Sequence, residues 1–191
     1  MLGVGARANG ARWEAALRLL LQQDHAQDVA SYNAATTACG KAVQWARAVA
    51  VLCQMRRAQC TPDAGSYGAA IDACERCSLW APALALFMAA RSFWDSPRNP
   101  RAAVRLRGAA ASSCAKAALW QDALKVLRGG RQAPVLDAVC HNIALNAFAK
   151  ASEWQRSLVW FHGMCAARTT TTAIGFTSTI SACAAGAQRS R

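Results

Sequence analysis

Acidic residues and lysines are scarce in this chain of 191 residues, and no long apolar run is present. Ten Asp and Glu residues stand against 22 Lys and Arg residues, 18 of them arginine, so the formal net charge is +12 at pH 7. A membrane-spanning helix needs about 20 predominantly apolar residues in a row, so none is predicted. The basic excess instead favours a polyanionic partner.

Patterns typical of catalysis and nucleotide binding are also missing. The three histidines lie far apart in the sequence, and no glycine-rich phosphate loop of the Walker or Rossmann type is present. We therefore predict no enzyme activity, no cofactor and no small-molecule substrate. The N-terminus lacks the apolar segment of a secretory signal, and the nine cysteines lack the spacing of a secreted disulfide scaffold, so secretion is not predicted.

Alanine, the strongest helix former, is abundant instead, with 46 residues. Five tryptophans recur at separations of 32, 35, 40 and 34 residues, which indicates an internal repeat. They are Trp13, Trp45, Trp80, Trp120 and Trp154. After each tryptophan, a small residue follows at the third position, an aliphatic residue at the fourth and a large apolar residue at the seventh. This spacing is one face of an α-helix.

A second helical pattern precedes four of these tryptophans. Six residues before them stand Cys39, Cys74, Cys114 and Phe148, and Cys183 is a last copy without a following tryptophan. Each unit is thus predicted to be two antiparallel helices, A and B, joined by a short turn such as Gly40-Lys41. Helix pairs of this kind stack on their neighbours. The predicted fold is therefore an all-α solenoid.

The unit boundaries follow from this register. Four complete units are placed at residues 29–63, 64–103, 104–137 and 138–172, with a helix B alone in 1–28 and a helix A alone in 173–191. Because the array begins in mid-unit and ends without a helix B, a second interpretation is that the chain is a fragment of a longer array.

The best-preserved unit resembles the pentatricopeptide repeat (PPR) family. Its helix A opens on Ser31-Tyr32-Asn33, Met55 lies near the end of helix B, and Thr61-Pro62-Asp63 closes the unit. Weaker copies extend the resemblance from Trp13 to Cys183. The resemblance implies a right-handed superhelix whose concave face binds single-stranded RNA, one base per unit. It also implies a role in the RNA metabolism of an organelle, the chloroplast or the mitochondrion.

The resemblance further implies which residues contact bases. In the family, the fifth residue of helix A and the last residue of the unit contact the base edge, and the second residue of helix A packs against the base. The implied pairs are Asn33 with Asp63, Gly68 with Ala103, Gly108 with Asp137, and Asn142 with Thr172. The second positions are Ala30, Gly65, Arg105, Val139 and Ile174. The combination of Asn33 with Asp63 is the one that favours uracil, whereas Gly68 and Gly108 have no side chain to offer. We therefore predict weak sequence specificity and an affinity governed by phosphate contacts.

The longest interruption of the period, residues 91–107, is strongly basic, with five arginines and one aspartate. Its candidate phosphate contacts are Arg98, Arg101, Arg105 and Arg107. The alternative is a solvated loop between units, in which the prolines break the helix.

Two rival functions are weaker. Tetratricopeptide arrays share this helix-pair organisation at a period of about 34 residues, so a protein-binding scaffold is the alternative, and the two glycines at the fifth position favour it. Cys74-x-x-Cys77 and His162-x-x-Cys165 each have the spacing of half a zinc site. In a solenoid these pairs lie more than two units apart and cannot meet, so no metal site is predicted.

Overall fold

The computed structural model describes residues 13–18, 28–94, 100–129, 137–166 and 173–189, and in these ranges α-helix is the only regular structure. Residues 13–18 are helical. The helices that follow are α1 (Val29–Lys41), α2 (Trp45–Arg57), α3 (Ala64–Arg76), α4 (Trp80–Ala89), α5 (Arg91–Trp94), α6 (Pro100–Lys116), α7 (Trp120–Arg128), α8 (Ala138–Ala151), α9 (Trp154–Ala166) and α10 (Ala173–Arg189). The predicted all-α solenoid is confirmed. None of the described helices is both long enough and apolar enough to cross a membrane.

The helices form two layers. The inner layer consists of α1, α3, α6, α8 and α10, each of which packs against the next along the chain. The outer layer consists of α2, α4, α7 and α9, each of which contacts the inner helix before it and the inner helix after it. Within the described ranges, successive outer helices make no comparable contact with one another. In the superhelix that the resemblance implies, this continuously packed layer of inner helices is expected to line the concave face.

Small residues allow this close packing. The third positions after the tryptophans are fully buried in the complete units, as Ala48, Ala83, Ala123 and Ser157. The seventh residue of each complete unit is a buried alanine: Ala35, Ala70, Ala110 and Ala144. Interaxial distances at helix contacts depend on side-chain size, so both columns bring neighbouring helices close together.

Aspartates begin three of the inner helices. Asp28, Asp63 and Asp137 are the N-cap residues of α1, α3 and α8. In each, Oδ1 accepts a hydrogen bond of 2.8 Å from the backbone N–H three residues later. Such a cap satisfies one of the N–H groups that a helix start leaves unpaired and contributes about 1 kcal/mol.

The tryptophan column lies along the edge of the outer layer. Trp45, Trp80 and Trp154 are 36–41% exposed, whereas Trp13 is buried. The guanidinium carbon of Arg47 lies 3.9 Å from the ring centroid of Trp13, and that of Arg156 lies 4.4 Å from the ring centroid of Trp120. Each stack joins the tryptophan of one unit to an arginine of the next outer helix, so long side chains bridge outer helices whose backbones stay apart.

The turn between the two helices of unit 1 differs from the prediction. α1 continues through Gly40 and Lys41, and the turn lies at Ala42 and Val43. A Cβ added at Gly40 would lie 3.2 Å from Cβ of Ala73 in α3. The prediction of a turn at Gly40-Lys41 is therefore wrong, and this glycine serves the contact between inner helices.

The interruption before unit 3 is partly helical. Residues 91–94 form the short helix α5, and α6 begins at Pro100, a residue type that suits the first helical turn. The predicted unit boundary between residues 103 and 104 thus falls inside α6, and the alternative of a loop throughout 91–107 is wrong for the helical part. Arg98 lies outside the described residues.

Four turns between an inner and an outer helix contain a non-glycine residue in the left-handed region, with φ between 57° and 61°. These residues are Val43, Ser78, Ala118 and Ser152. Val43 has the most unfavourable side chain for this conformation, because it is β-branched.

We expect Val43→Gly to raise the free energy of unfolding by about 0.5–1 kcal/mol. The left-handed conformation costs a non-glycine residue about 1–2 kcal/mol, and the greater freedom of glycine in the unfolded chain offsets part of that gain. The matched control is Ala50→Gly at an exposed position within α2, which should lower the same quantity by about 1 kcal/mol. Urea denaturation followed by circular dichroism measures both, and a loss of stability in Val43→Gly would contradict the expectation.

Candidate nucleic-acid interface

Unit 1 brings its two predicted base-contacting residues together. Asn33 lies on the second turn of α1, and Asp63 caps α3. Asn33 Nδ2 donates a hydrogen bond of 3.2 Å to Asp63 Oδ1. The same oxygen accepts hydrogen bonds from the backbone N–H of Ser66 at 2.8 Å and from its hydroxyl at 3.0 Å. A Cβ added at Gly65 would lie 3.1 Å from Asp63 Oδ1, so the glycine leaves the pair uncovered on that side.

The environment of Asp63 favours its charged form. Burial acts to raise the pKa of the carboxyl, but the hydrogen bonds from Ser66, Asn33 and Gly65 together outweigh burial and lower the pKa below its usual value of 3.8. The carboxylate is therefore ionised at neutral pH. Hydrogen bonds to an ionised acceptor are stronger than those between neutral groups, so unit 1 presents a fixed pair of an amide and a carboxylate.

A cavity of about 790 Å³ lies at the equivalent place between units 3 and 4. It is bounded by α3, α6 and the start of α8. We call it the inner cavity. Gly108 and Asp137, the predicted base contacts of unit 3, line it, as do the second-position residues Arg105 and Val139. The place where the resemblance puts a base in unit 3 is thus open space on the concave layer.

The two glycines at the fifth position have different surroundings. A Cβ added at Gly108 would meet Cδ1 of Ile143 at 3.9 Å and no other described atom within 4 Å. A Cβ added at Gly68 would lie 2.8 Å from Nη2 of Arg105. The fifth position is therefore open in unit 3, whereas in unit 2 a guanidinium from the next inner helix occupies it.

The other predicted pairs have mixed outcomes. Ala103 is 4% exposed because α6 begins before it, so the prediction that it faces a base is wrong. Asn142 packs against the start of α10, where a Cβ added at Gly175 would lie 3.1 Å from its Oδ1. Its predicted partner Thr172 lies outside the described residues.

The predicted phosphate contacts differ in their exposure to solvent. Arg101 and Arg105 are exposed and line the inner cavity. Arg107 is 3% exposed and occupies the register position of Tyr32 and Tyr67 in units 1 and 2. Because a buried guanidinium cannot reach a phosphate on the surface, the prediction for Arg107 is wrong.

A column of basic residues that was not predicted from the sequence lies at the ends of the inner helices. Lys41, Arg76, Lys116 and Lys150 are exposed and lie in the last turns of α1, α3, α6 and α8. Lys116 Nζ pairs with Glu75 Oε1 at 3.0 Å. Each basic residue stands two positions after the column formed by Cys39, Cys74, Cys114 and Phe148. This constant spacing in the sequence is sufficient to identify the column.

The buried cysteines contribute packing. Burial raises the pKa of the Cys74 and Cys114 thiols to about 11 and that of Cys140 to about 12. These thiols are therefore protonated at neutral pH and poorly nucleophilic. In the part of the chain that the structure describes, no group of three or more His, Cys, Asp or Glu residues is placed to hold a metal ion.

Comparisons with known proteins agree with this architecture. Residues 30–60 match the sequence profile of the PPR repeat. The crystal structure of the pentatricopeptide repeat protein PPR10 from maize is similar with a TM-score of 0.68 and 27% identity, over 93% of this chain and 25% of that one. The structure of PPR10 in complex with an 18-nt psaJ RNA element has the same fold, with a TM-score of 0.68 and 19% identity over 97% of this chain and 28% of that one. The chain thus spans about a quarter of the length of these proteins. No curated protein matches the sequence.

Replacing Asp63 with alanine removes both the cap of α3 and the partner of Asn33. We expect Asp63→Ala to lower the free energy of unfolding by about 1 kcal/mol at pH 7. Because the pKa is lowered in the folded state, this stabilisation is present above the unfolded pKa and is lost as the pH falls through the folded pKa. The difference from wild type should therefore shrink below about pH 4.

Asn33→Ala is the control, because it leaves the cap intact and should cost less than Asp63→Ala. Urea denaturation at a series of pH values measures both variants. A deficit of Asp63→Ala that stays constant from neutral to strongly acidic pH would sink this interpretation.

Proposed function

We propose that the chain is a pentatricopeptide-repeat protein that binds single-stranded RNA along its inner layer, one nucleotide per unit. The observation that carries the proposal is the pair of Asn33 and Asp63, an amide and an ionised carboxylate held 3.2 Å apart on the concave layer. The structurally similar PPR10 has been captured with an 18-nt RNA element, which supports RNA as the polyanionic partner of this basic chain.

Base contacts are unequal among the units. In unit 1, the amide N–H of Asn33 supplies a donor beside the carboxylate of Asp63, which supplies an acceptor, and this combination suits an acceptor oxygen of uracil beside its N3–H donor. In unit 3, Asp137 is the only member of the predicted pair that brings a polar side chain to the inner cavity, because Gly108 has no side chain. In unit 4, the resemblance pairs Asn142 with Thr172, which lies outside the described residues. A full base contact is worth about 1–3 kcal/mol, so an array with incomplete contacts has weak sequence specificity.

Phosphate contacts supply most of the affinity. The exposed cations of the inner layer are Arg101 and Arg105 at the inner cavity and the column of Lys41, Arg76, Lys116 and Lys150; Arg98 is a further candidate from the sequence. The column provides one cation per unit, which is the spacing that a backbone running along the array needs. Neutralising phosphates releases counterions, so binding must weaken as salt rises.

The cellular role belongs to the same proposal. The resemblance to PPR proteins and the basic charge support a role in the RNA metabolism of an organelle, in the processing, stability or translation of transcripts. Fractionation of chloroplasts and mitochondria from the source cells tests this assignment.

We expect the chain to bind short U-rich single-stranded RNA with micromolar or weaker affinity, and to lose this affinity steeply with salt, since about one counterion is released per phosphate contact. Fluorescence anisotropy with U-, A- and C-rich oligomers over a salt series measures both properties. Absence of binding at low salt would overturn RNA binding and favour the protein-binding scaffold. Equal, salt-sensitive binding of every oligomer, duplex DNA included, would reduce the interaction to non-specific electrostatics.

A gain-of-function variant tests the base contacts directly. Gly108→Asn would complete unit 3 with the pairing of unit 1, and the open space at this position accepts the side chain. We expect it to tighten binding to U-rich RNA by about fivefold or more, because one added base contact is worth about 1–3 kcal/mol.

Gly163→Asn is the matched control. It makes the same substitution in α9 of the outer layer, where an added Cβ would meet nothing within 4 Å. It should leave RNA affinity unchanged. Equal affinities for Gly108→Asn and wild type would contradict base contact at the inner cavity.

A further inference from the structure

The fifth position of unit 2 has no side chain of its own, yet it is not empty. A Cβ added at Gly68 would lie 2.8 Å from Nη2 and 3.8 Å from Cζ of Arg105. The guanidinium thus lies against the glycine backbone, in the volume that a base-contacting side chain would fill. The equivalent Gly108 has no such neighbour.

The packing of α6 on α3 explains how Arg105 reaches this place. The neighbouring Leu106 is 1% exposed, and one of its methyl carbons would lie 3.8 Å from a Cβ at Gly68, so it anchors this part of α6 against α3. Arg105 itself is exposed and occupies the second position of unit 3. The residues at the other second positions are too short to cross to the preceding inner helix in this way: Ala30, Gly65, Val139 and Ile174.

The nearby charges leave the guanidinium available to a ligand. Asp72 lies one turn after Gly68 on α3 and lines the inner cavity together with Arg105. Burial raises the pKa of the Asp72 carboxyl, and the charge of Arg105 opposes that rise. The other carboxylate of this group, Glu75, is already bound by the Ser112 hydroxyl at 2.8 Å and by Lys116. Among the described residues, no carboxylate lies at ion-pair distance from Arg105.

We propose that Arg105 replaces the side chain missing at Gly68 and that unit 2, through Arg105 with Asp72, selects guanine. This inference rests on the proposed RNA binding. Guanine presents two adjacent acceptors, O6 and N7, which match the fork of a guanidinium. Its N1–H and N2–H groups are adjacent donors, which match a carboxylate. Adenine and uracil lack the acceptor pair, and cytosine lacks the donor pair, so guanine fits both residues best.

The test compares oligomers that differ at one nucleotide. A U-rich single-stranded RNA with one central G, A or C is titrated by fluorescence anisotropy at low salt, next to the all-U oligomer. We expect wild type to bind the G-containing oligomer about 5- to 10-fold more tightly than the others, the size of one bidentate base contact.

Two variants at the site remove the guanidinium in different ways. Arg105→Lys keeps the positive charge but loses the fork, so it should abolish the preference for G while retaining the salt dependence. Gly68→Ala keeps Arg105 but places a methyl group where the guanidinium lies, so it should reduce the same preference.

Matched controls are available in the outer layer. Arg57→Lys makes the same change at an exposed arginine of α2, and Gly163→Ala adds a methyl group in α9 where it would meet nothing within 4 Å. Both should keep the preference for G.

The outcomes separate this inference from the proposed function. No binding of any RNA by wild type overturns the proposed function and the inference with it. RNA binding without a preference for G, a preference for another nucleotide, or a preference that survives Arg105→Lys overturns the inference alone. Loss of the preference in both site variants and its retention in both controls supports it.

Discussion

Close packing of one inner helix against the next is the constraint on which the rest of this structure depends. It requires small residues at the contact, such as Gly40 against Ala73 and the buried alanine at the seventh position of each complete unit. Because the outer helices lack an equivalent contact within the described ranges, we expect the stack to curve toward the inner layer. The starts of the inner helices are thereby gathered on one concave surface. The same small residues that build the fold therefore place the base-contacting positions side by side.

The fold and the proposed base contact share individual atoms in this arrangement. Asp63 Oδ1 caps α3 and also holds Asn33, so one oxygen both starts a helix and orients a residue that we propose contacts a base. Glycine at the fifth position has two different consequences, because its neighbours differ: open space at Gly108 and a guanidinium at Gly68. The identities of the two predicted base-contacting residues of a unit do not reveal this difference. The guanidinium at Gly68 belongs to Arg105, which comes from the neighbouring unit.

The sequence was sufficient for the architecture and insufficient for the details of the site. The tryptophan and cysteine columns predicted the helix pairs, because helical periodicity and burial are encoded locally. The early start of α6 was missed, since two prolines in residues 91–107 also suit a loop. The burial of Arg107 was missed because an arginine is rarely buried. The position of Arg105 over Gly68 depends on how α6 packs on α3, which no local pattern specifies. The basic column, in contrast, was visible in the repeat register and was overlooked.

The shared oxygen of Asp63 has a thermodynamic consequence. The backbone N–H of Ser66 is held by that oxygen at 2.8 Å, and so its exchange with solvent hydrogen is governed by whatever else competes for the carboxylate. A nucleobase that hydrogen-bonds to Asp63 Oδ1 would compete with the hydrogen bonds of the first turn of α3. Binding of a ligand at this oxygen and fraying of the first turn of α3 are therefore coupled. Hydrogen exchange at the backbone amide of Ser66 therefore depends on whether a ligand occupies Asp63 Oδ1.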